Sequence, residues 1–216
     1  MSSLKLKHSG GNSVSIAAPS SNPASNRTLT VPSNADGEIL TTTNPKSGNI
    51  IQVVSTNVDS ASTISLDTRY SYYEITPLTT NITTTAANSK ILVTAGIGGE
   101  SNDVDHTIYF RCGRVIGGSL SIIFKGADAS NRSTVLGIHN QGYTSSNQAS
   151  TPSSNSFPNM LDSPNQAAGT TITYKFFVSS ANSASATYYL NRSVTDTDNT
   201  SYERLFSYLT LMEVAA

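Results

Sequence analysis

The stretch from residue 205 to residue 216 has apolar side chains on both faces of a period-two pattern. One face carries Leu205, Ser207, Leu209, Leu211, Glu213 and Ala215, and the other carries Phe206, Tyr208, Thr210, Met212 and Val214. A half-exposed strand would instead alternate apolar with polar residues. The pattern therefore predicts a central strand that is covered on one side by the domain's own core and on the other by a second copy of the chain.

Alternating or β-branched runs predict further strands between residues 50 and 190, and no stretch keeps a helical period over three turns. The runs are 50–54, 72–75, 78–84, 90–97, 106–113, 119–124, 134–138, 171–178 and 187–190. Pro77 is expected to end a strand, and so is the glycine cluster 96–99. Short strands separated by polar turns predict an all-β fold, an antiparallel β-sandwich that is jelly-roll-like.

The longest interval without a predicted strand, residues 140–169, is rich in Ser, Asn, Gln and Pro. Long loops in compact domains are usually functional or disordered. Phe157, Met160 and Leu161 predict that the second half of the interval is pinned to the sandwich. Residues 143–156 are expected to form an exposed tip, and its candidate receptor contacts are Tyr143, Asn147, Gln148 and Asn155.

Residues 1–45 differ from the rest, because they hold half of the prolines and no aromatic residue. Short alternating runs predict two hairpins, 4–7 with 14–16 and 28–31 with 38–40. Two short hairpins cannot form a stable core alone. We therefore predict an attachment arm over residues 1–45 and a β-sandwich head over residues 50–216. The arm residues expected to make contacts are Leu4, Leu6, Val14, Ile16, Leu29 and Val31.

Composition narrows the setting in which this sandwich operates. Charged residues make up 12% of the chain and the net charge is −1, whereas Ser, Thr and Asn together exceed a third of it. A surface of hydroxyls and amides is typical of β-sandwiches exposed outside cells. However, the N-terminus lacks the apolar core of a signal peptide, and Cys112 is the single cysteine. A virus particle, assembled in a cytoplasm and released by lysis, reconciles these observations.

Few residue patterns point to catalysis or metal binding. The histidines His8, His106 and His139 have no ligand spacing, and the chain contains no Trp. Asp196 and Asp198 could gather calcium with Asn199 and Glu203, or form a carboxylate pair for glycoside hydrolysis. Asp103 and Asp105 are a second acidic turn. Acidic turns between strands are usually only turns, so we expect no enzyme activity, no cofactor and no metal. The near-neutral charge also argues against nucleic-acid binding, and no apolar run is long enough for membrane insertion.

Motifs at both ends of the chain resemble small virion structural proteins of tailed bacteriophages, notably those of marine cyanobacteria. The N-terminal motifs are Leu4–Asn12, Ile16–Pro19, Arg27–Pro32 and Gly37–Thr41, and the C-terminal motifs are Leu161–Pro164, Thr173–Lys175, Asn191–Asp198 and Leu209–Val214. Residues 55–155 carry little of this likeness. The resemblance implies a virion protein with a jelly-roll head and a trimeric state. Such proteins are tail fibres, receptor-binding proteins or capsid surface proteins.

These observations predict a homotrimeric appendage on the virion surface that resembles a tail fibre, is attached through its N-terminal arm and contacts host surface polysaccharide. Its other partners are tail or capsid proteins. The alternatives are a capsid decoration protein that stabilises the shell and, in a different class, a sugar-cleaving enzyme that uses Asp196 and Asp198. The predicted oligomer interface comprises Leu205, Phe206, Tyr208, Leu209, Leu211 and Met212.

Overall fold

The computed structural model describes residues 3–17, 20–21, 45–102, 107–139, 151–181 and 186–216. Every regular element in these ranges is a β-strand. The strands are β1 (Ser3–Lys7), β2 (Ser13–Ala17), β3 (Ile50–Val58), β4 (Ser62–Leu66), β5 (Tyr73–Thr83), β6 (Lys90–Ser101), β7 (Ile108–Ile116), β8 (Ser119–Ile123), β9 (Gly137–Ile138), β10 (Ser153–Asp162), β11 (Thr171–Ser180), β12 (Ala186–Leu190) and β13 (Ser207–Val214). The chain divides into two compact units, Met1–Ile39 and Leu40–Ala216.

In the N-terminal unit, β1 and β2 form the first of the two predicted hairpins. Leu4 pairs with Ile16 and Leu6 pairs with Val14, so these positions share one face of the hairpin. The side chains of Leu4, Leu6 and Ile16 are all exposed. Leu29 and Val31, which belong to the second predicted hairpin, lie outside the described residues. The hairpin therefore has an apolar face that none of the described residues covers.

Eight strands of the second unit are paired in a nested order. The first, β3, pairs with the last, β13; β5 pairs with β11, β6 with β10, and β7 with β8. Further pairing of β13 with β6 and of β11 with β7 gives the sheets β3-β13-β6-β10 and β5-β11-β7-β8. A long hairpin rolled up in this way is a jelly roll. The predicted fold class, an all-β antiparallel sandwich of the jelly-roll kind, is confirmed.

The core lies between the two sheets, and β13 contributes to it from a central position. Leu209 and Leu211 are fully buried there, as are Phe110, Cys112 and Phe176 of the opposing sheet. Burying each large side chain stabilises the fold by about 1.5–3 kcal/mol. Of the two apolar faces of β13, the face with Leu209 and Leu211 is therefore the core face. These two residues cannot also form an oligomer interface, so the prediction was wrong for them.

Two strands are longer than the sequence predicted. β6 continues through its glycines to Ser101, because these residues still pair with β10 and β12. Glycine is needed there, since a side chain at Gly96 would collide with the ring of Tyr208 and one at Gly98 with Leu205. β5 continues through Pro77, because its pairing with β11 shifts register between Glu74 and Thr79. Pro77 lies within this irregular stretch, where its missing N–H is tolerated. Both predicted strand ends were wrong.

The interval predicted to be a loop after residue 140 contains the ten-residue strand β10. Met160 is buried, and the ring of Phe157 lies 5.8 Å from that of Phe110, edge to face. The expected pinning is confirmed for these two residues, whereas Leu161 points outward and is 49% exposed. The Ser- and Asn-rich composition hid an edge strand because most of its outward positions, such as Ser154 and Ser156, are small and polar.

Glu213 is the charged residue of β13 that faces inward, and it is fully buried. Its carboxylate accepts hydrogen bonds from Gln52 Nε2, from the backbone N–H of Thr85 at 2.8 Å and from that of Ala86 at 3.1 Å. Burial alone acts to raise the pKa of Glu213. Hydrogen bonds from Gln52, Ala86, Ser89 and Thr85 outweigh burial and lower the pKa. The last strand is thereby fastened to the turn that follows β5.

We expect Glu213→Gln to lower the free energy of unfolding at pH 7 by about 1–3 kcal/mol, because two backbone donors lose a charged acceptor. Because the pKa of Glu213 is lower in the folded state than in the unfolded state, this carboxylate stabilises the fold fully at pH values above its unfolded pKa. The stabilisation is lost as the pH falls through the folded pKa. The difference between wild type and variant should therefore shrink below about pH 4. Urea unfolding at several pH values measures it. The exposed Glu203→Gln is the matched control, and an equal effect of both variants would contradict this role.

Candidate functional site

A loop inserted into the sheet is the first candidate site. β4 and β12 continue the ladder of β3 and β13, since Val58 pairs with Ser207 and Ser62 pairs with Leu190. Between these pairs, residues 191–206 lie opposite residues 59–61. We call residues 191–206 the inserted loop. Because the strand pairing continues on both sides of the loop, the chain leaves the sheet and returns to it at the same place.

Asn191 holds the base of the inserted loop. It is 1% exposed and has a φ of 59°, a left-handed conformation that Asn adopts more readily than most residues. Its Nδ2 donates to the carbonyl oxygens of Val58 at 2.8 Å and Ser60 at 3.1 Å, and its Oδ1 accepts from Ser207 Oγ at 2.5 Å. Its carbonyl accepts from the N–H of Leu205 at 3.0 Å. One buried side chain thus closes both ends of the loop.

Ion pairs and hydrogen bonds fix the interior of the inserted loop. Arg192 and Arg204 form a backbone bridge, and Arg204 Nη2 lies 2.6 Å from Asp196 Oδ1. The Arg192 guanidinium lies 4.4 Å from the centre of the Tyr189 ring and donates to the carbonyl oxygen of Val194 at 2.9 Å. The carboxylate of Asp196 is therefore engaged by Arg204 and is not free to work with Asp198 as a catalytic pair.

The inserted loop forms a pocket of about 280 Å³ that is open to solvent. Its lining residues are Asp196, Thr197, Asp198, Asn199, Tyr202 and Arg204. The carboxylate of Asp198 has no hydrogen bond or ion pair with another described residue. Across the described ranges, no group of three or more His, Cys, Asp or Glu is placed to hold a metal ion. Asp103 and Asp105 lie outside those ranges. The pocket thus offers polar groups of both charges without a metal-binding set.

Glu100 connects the inserted loop to the predicted receptor tip. Its buried carboxylate accepts from the N–H of Val194 at 2.6 Å and from the N–H of Thr151 at 3.1 Å. Burial raises the pKa of Glu100, and these two donors partly offset that effect. Thr151 follows directly after residues 140–150. This range contains Tyr143, Asn147 and Gln148 and lies outside the described residues. Thr151 therefore lies beside the start of the inserted loop.

Asn155, the remaining predicted receptor contact, does not lie at a loop tip. It belongs to β10, where it pairs with Ile97, and it is partly buried. Its Nδ2 lies 3.1 Å from Nδ1 of His139. Burial lowers the pKa of His139 to about 4, so the ring is neutral near pH 7. Asn155 thus serves an interior hydrogen bond, and its prediction as a receptor contact is corrected.

The outer face of the sheet β3-β13-β6-β10 is a second candidate site. Met212 pairs with Val53 on one side and with Leu92 on the other, and Leu92 pairs with Leu161. These four residues form a single row across four strands, which we call the apolar row. Val53 is 58% exposed, although an apolar side chain gains from leaving water. The residues before and after each position point into the core, so the row faces outward.

The outer face of the opposite sheet has a different character. Lys175 Nζ lies 2.9 Å from Glu74 Oε2, and Thr173 Oγ1 donates to Asn81 Oδ1 at 2.7 Å. These groups satisfy one another and are compatible with water. An antiparallel sheet commonly has one solvated face of this kind. The opposite sheet also exposes Leu120, but the four apolar residues that lie side by side across four strands are on the face with the apolar row.

The predicted interface residues divide between the two faces of β13. Leu209 and Leu211 belong to the core, as described above. On the outer face, the ring of Tyr208 covers Gly96, and Phe206 stacks on Tyr208 with 6.3 Å between ring centres. Two further residues of the predicted interface also face outward. These are Leu205, which lies over Gly98, and Met212, which belongs to the apolar row. The sequence did not identify Val53, Leu92 and Leu161, because only the strand register brings these separate residues together.

Comparisons with known proteins do not define a family. No family model matches the chain, and no curated protein matches it. Among solved structures, it is similar to those of infectious bursal disease virus of the Gx strain (11% identity) and the Gt strain (12% identity), each with a TM-score of 0.38. The match covers 95% of this chain but only 43% and 48% of those chains. A likeness at this TM-score assigns no role. In the described residues, no helix is long and apolar enough to span a membrane.

We expect Glu100→Gln to loosen the contact between the two segments. The N–H groups of Thr151 and Val194 donate to different oxygens of the carboxylate, and glutamine replaces one of these oxygens with an NH2 donor, so one N–H group would lose its acceptor. At least one of these two N–H groups should exchange with solvent about tenfold faster or more, which amide exchange by NMR measures. Glu74→Gln, which breaks a surface ion pair, is the control. Unchanged exchange at both amides would show that Glu100 does not hold the segments.

Proposed function

We propose that this protein is a virion structural protein that forms a homotrimeric surface appendage resembling a tail fibre. The observation that carries the proposal is the apolar row on the outer face of a sandwich whose core is already complete. A partly exposed apolar row across four strands favours association with another protein surface. The resemblance of motifs at both ends of the chain to phage virion proteins supports a virion setting and three copies.

Self-association is the simplest way to cover this face. Most soluble oligomers are closed, symmetric assemblies of identical chains. Burial of the apolar row, together with Phe206 and Tyr208, would contribute about 25 cal/mol for each Å² of apolar area removed from water. On the opposite sheet, the outward Lys175 and Thr173 are already paired with Glu74 and Asn81, and the exposed Leu120 lies apart from an apolar row.

The N-terminal arm is proposed to attach the head to the tail or the capsid. The hairpin of β1 and β2 supports this role, because Leu4, Leu6 and Ile16 are exposed on one face. A two-stranded hairpin is marginally stable in water by itself. Contact with another virion protein would cover that face and stabilise the hairpin at the same time.

The surface of the head around Thr151 and the inserted loop is proposed to contact host surface polysaccharide. Glu100 holds the inserted loop next to Thr151, the end of the segment with Tyr143, Asn147 and Gln148. Tyr and Asn side chains are suited to adaptable recognition by stacking and hydrogen bonding. Residues from two segments would then share one recognition surface.

A capsid decoration protein is the second candidate, and the exposed hairpin face favours it equally. In that role the arm clamps neighbouring shell subunits, and the head stiffens the shell. Immuno-gold labelling of particles separates the two candidates. Labels confined to the tail support the appendage, whereas labels spread over the head support decoration.

The oligomeric state tests the main proposal. We expect the wild type to have three times the mass of one chain by size-exclusion chromatography with light scattering. Met212→Lys should remain folded by circular dichroism and become monomeric, because it places a charge in the apolar row. Leu211→Lys should fail to fold, because it places a charge in the core.

Thr173→Lys, which adds the same charge to the outer face of the opposite sheet, is the matched control and should remain trimeric. A folded wild-type monomer would overturn the proposed assembly. A Met212→Lys protein that is still trimeric would remove the apolar row from the interface.

A further inference from the structure

We infer that the pocket of the inserted loop is a binding site for a single uncharged sugar residue. The inference deepens the host-contact role and rests on that proposal for the biological source of the sugar. The binding chemistry itself is argued from the pocket.

The pocket is organised before any ligand arrives. Asn191 closes the base of the loop, the bridge between Arg192 and Arg204 aligns its two sides, and the ion pair of Arg204 with Asp196 crosses it. The tip is also held, since Asn199 Oδ1 accepts from the N–H of Ser201 at 3.0 Å. A loop already ordered in its binding geometry loses little conformational entropy on binding.

The free polar groups of the pocket alternate between acceptors and donors. Asp198 offers two carboxylate oxygens, and Asn199 offers its Nδ2 donors, since its Oδ1 is engaged by Ser201. The hydroxyl groups of Thr197 and Tyr202 can donate or accept. Neighbouring hydroxyls of a sugar ring also donate and accept, so they can satisfy both kinds of group at once.

Charge in the pocket disfavours ionic ligands. Asp198 would repel a phosphate or a carboxylate, and the described residues hold no group of three or more His, Cys, Asp or Glu that could bind a metal ion. Arg204 neutralises Asp196, because their atoms are 2.6 Å apart. The lining therefore fits a neutral ligand that is rich in hydroxyl groups better than it fits an anion or a divalent cation.

The volume of the pocket limits the size of the ligand. A volume of about 280 Å³ is at the small end of ligand pockets, which span roughly 300–1,000 Å³. Such a space holds one sugar ring and leaves the rest of a chain in solvent. Tyr202 is partly buried in the lining, and its ring provides an apolar surface for the C–H groups of that sugar.

Saturation-transfer NMR on the full-length protein tests the site. The probes are glucose, galactose, mannose and N-acetylglucosamine, each alone, with inorganic phosphate and calcium chloride as competitors. We expect transfer to at least one sugar and an affinity about tenfold weaker in Asp198→Asn, which corresponds to about 1.4 kcal/mol. Asp67→Asn, an exposed aspartate outside the inserted loop with the same loss of charge, is the control and should bind as the wild type does.

A second variant, Tyr202→Ala, should also weaken binding while circular dichroism stays unchanged. Absence of transfer to all four sugars, equal binding by Asp198→Asn, or displacement of the sugar by phosphate or calcium would overturn the inference. Light scattering on the same samples separates the two proposals: a trimer without sugar binding rejects only the pocket, and a monomer that binds sugar rejects only the assembly.

Discussion

The pairing of the last strand with the first is the constraint on which the head depends. β13 lies between β3 and β6, and its residues are separated from those of β3 by almost the whole domain. The pair of β3 and β13 is the outermost of the nested strand pairs. The core between the sheets is therefore complete only when β13 is in place. Leu209 and Leu211 fill that core, and Glu213 fastens the strand to the turn after β5. Such non-local contacts carry a large loop-closure entropy, which a long, apolar strand offsets.

Local pattern was sufficient to predict the class of fold and the central place of β13. It could not assign the two faces of β13, since Leu209 and Met212 are equally apolar and only the position of the second sheet distinguishes them. The local pattern also failed where a residue that usually ends a strand is accommodated by contacts with its partner strand. Pro77 is accommodated by a register shift, and Gly96 leaves room for Tyr208. Both effects depend on contacts between residues that are distant in sequence.

The candidate site was less predictable than the fold for the same reason. Asp196 and Asp198 are close in sequence and were considered as a pair, but Arg204 engages only Asp196. Glu100 gave no signal in the sequence, because nothing in a glycine-rich strand end indicates that its carboxylate meets Val194 and Thr151. The apolar row likewise consists of single residues on four strands. Each becomes meaningful only when the register aligns it with its neighbours.

The two candidate sites are mechanically connected through the residues that end the inserted loop. Leu205 and Phe206 complete that loop, and they also lie on the outer face, over Gly98 and against Tyr208 respectively. A neighbouring chain packed on this face would restrict both residues and hence the side of the loop that carries Arg204. Since Arg204 crosses the pocket to Asp196, assembly would reduce the motion of the pocket without touching its lining. Recognition at the tip would then be strongest in the assembled protein, where the pocket is held from both of its ends.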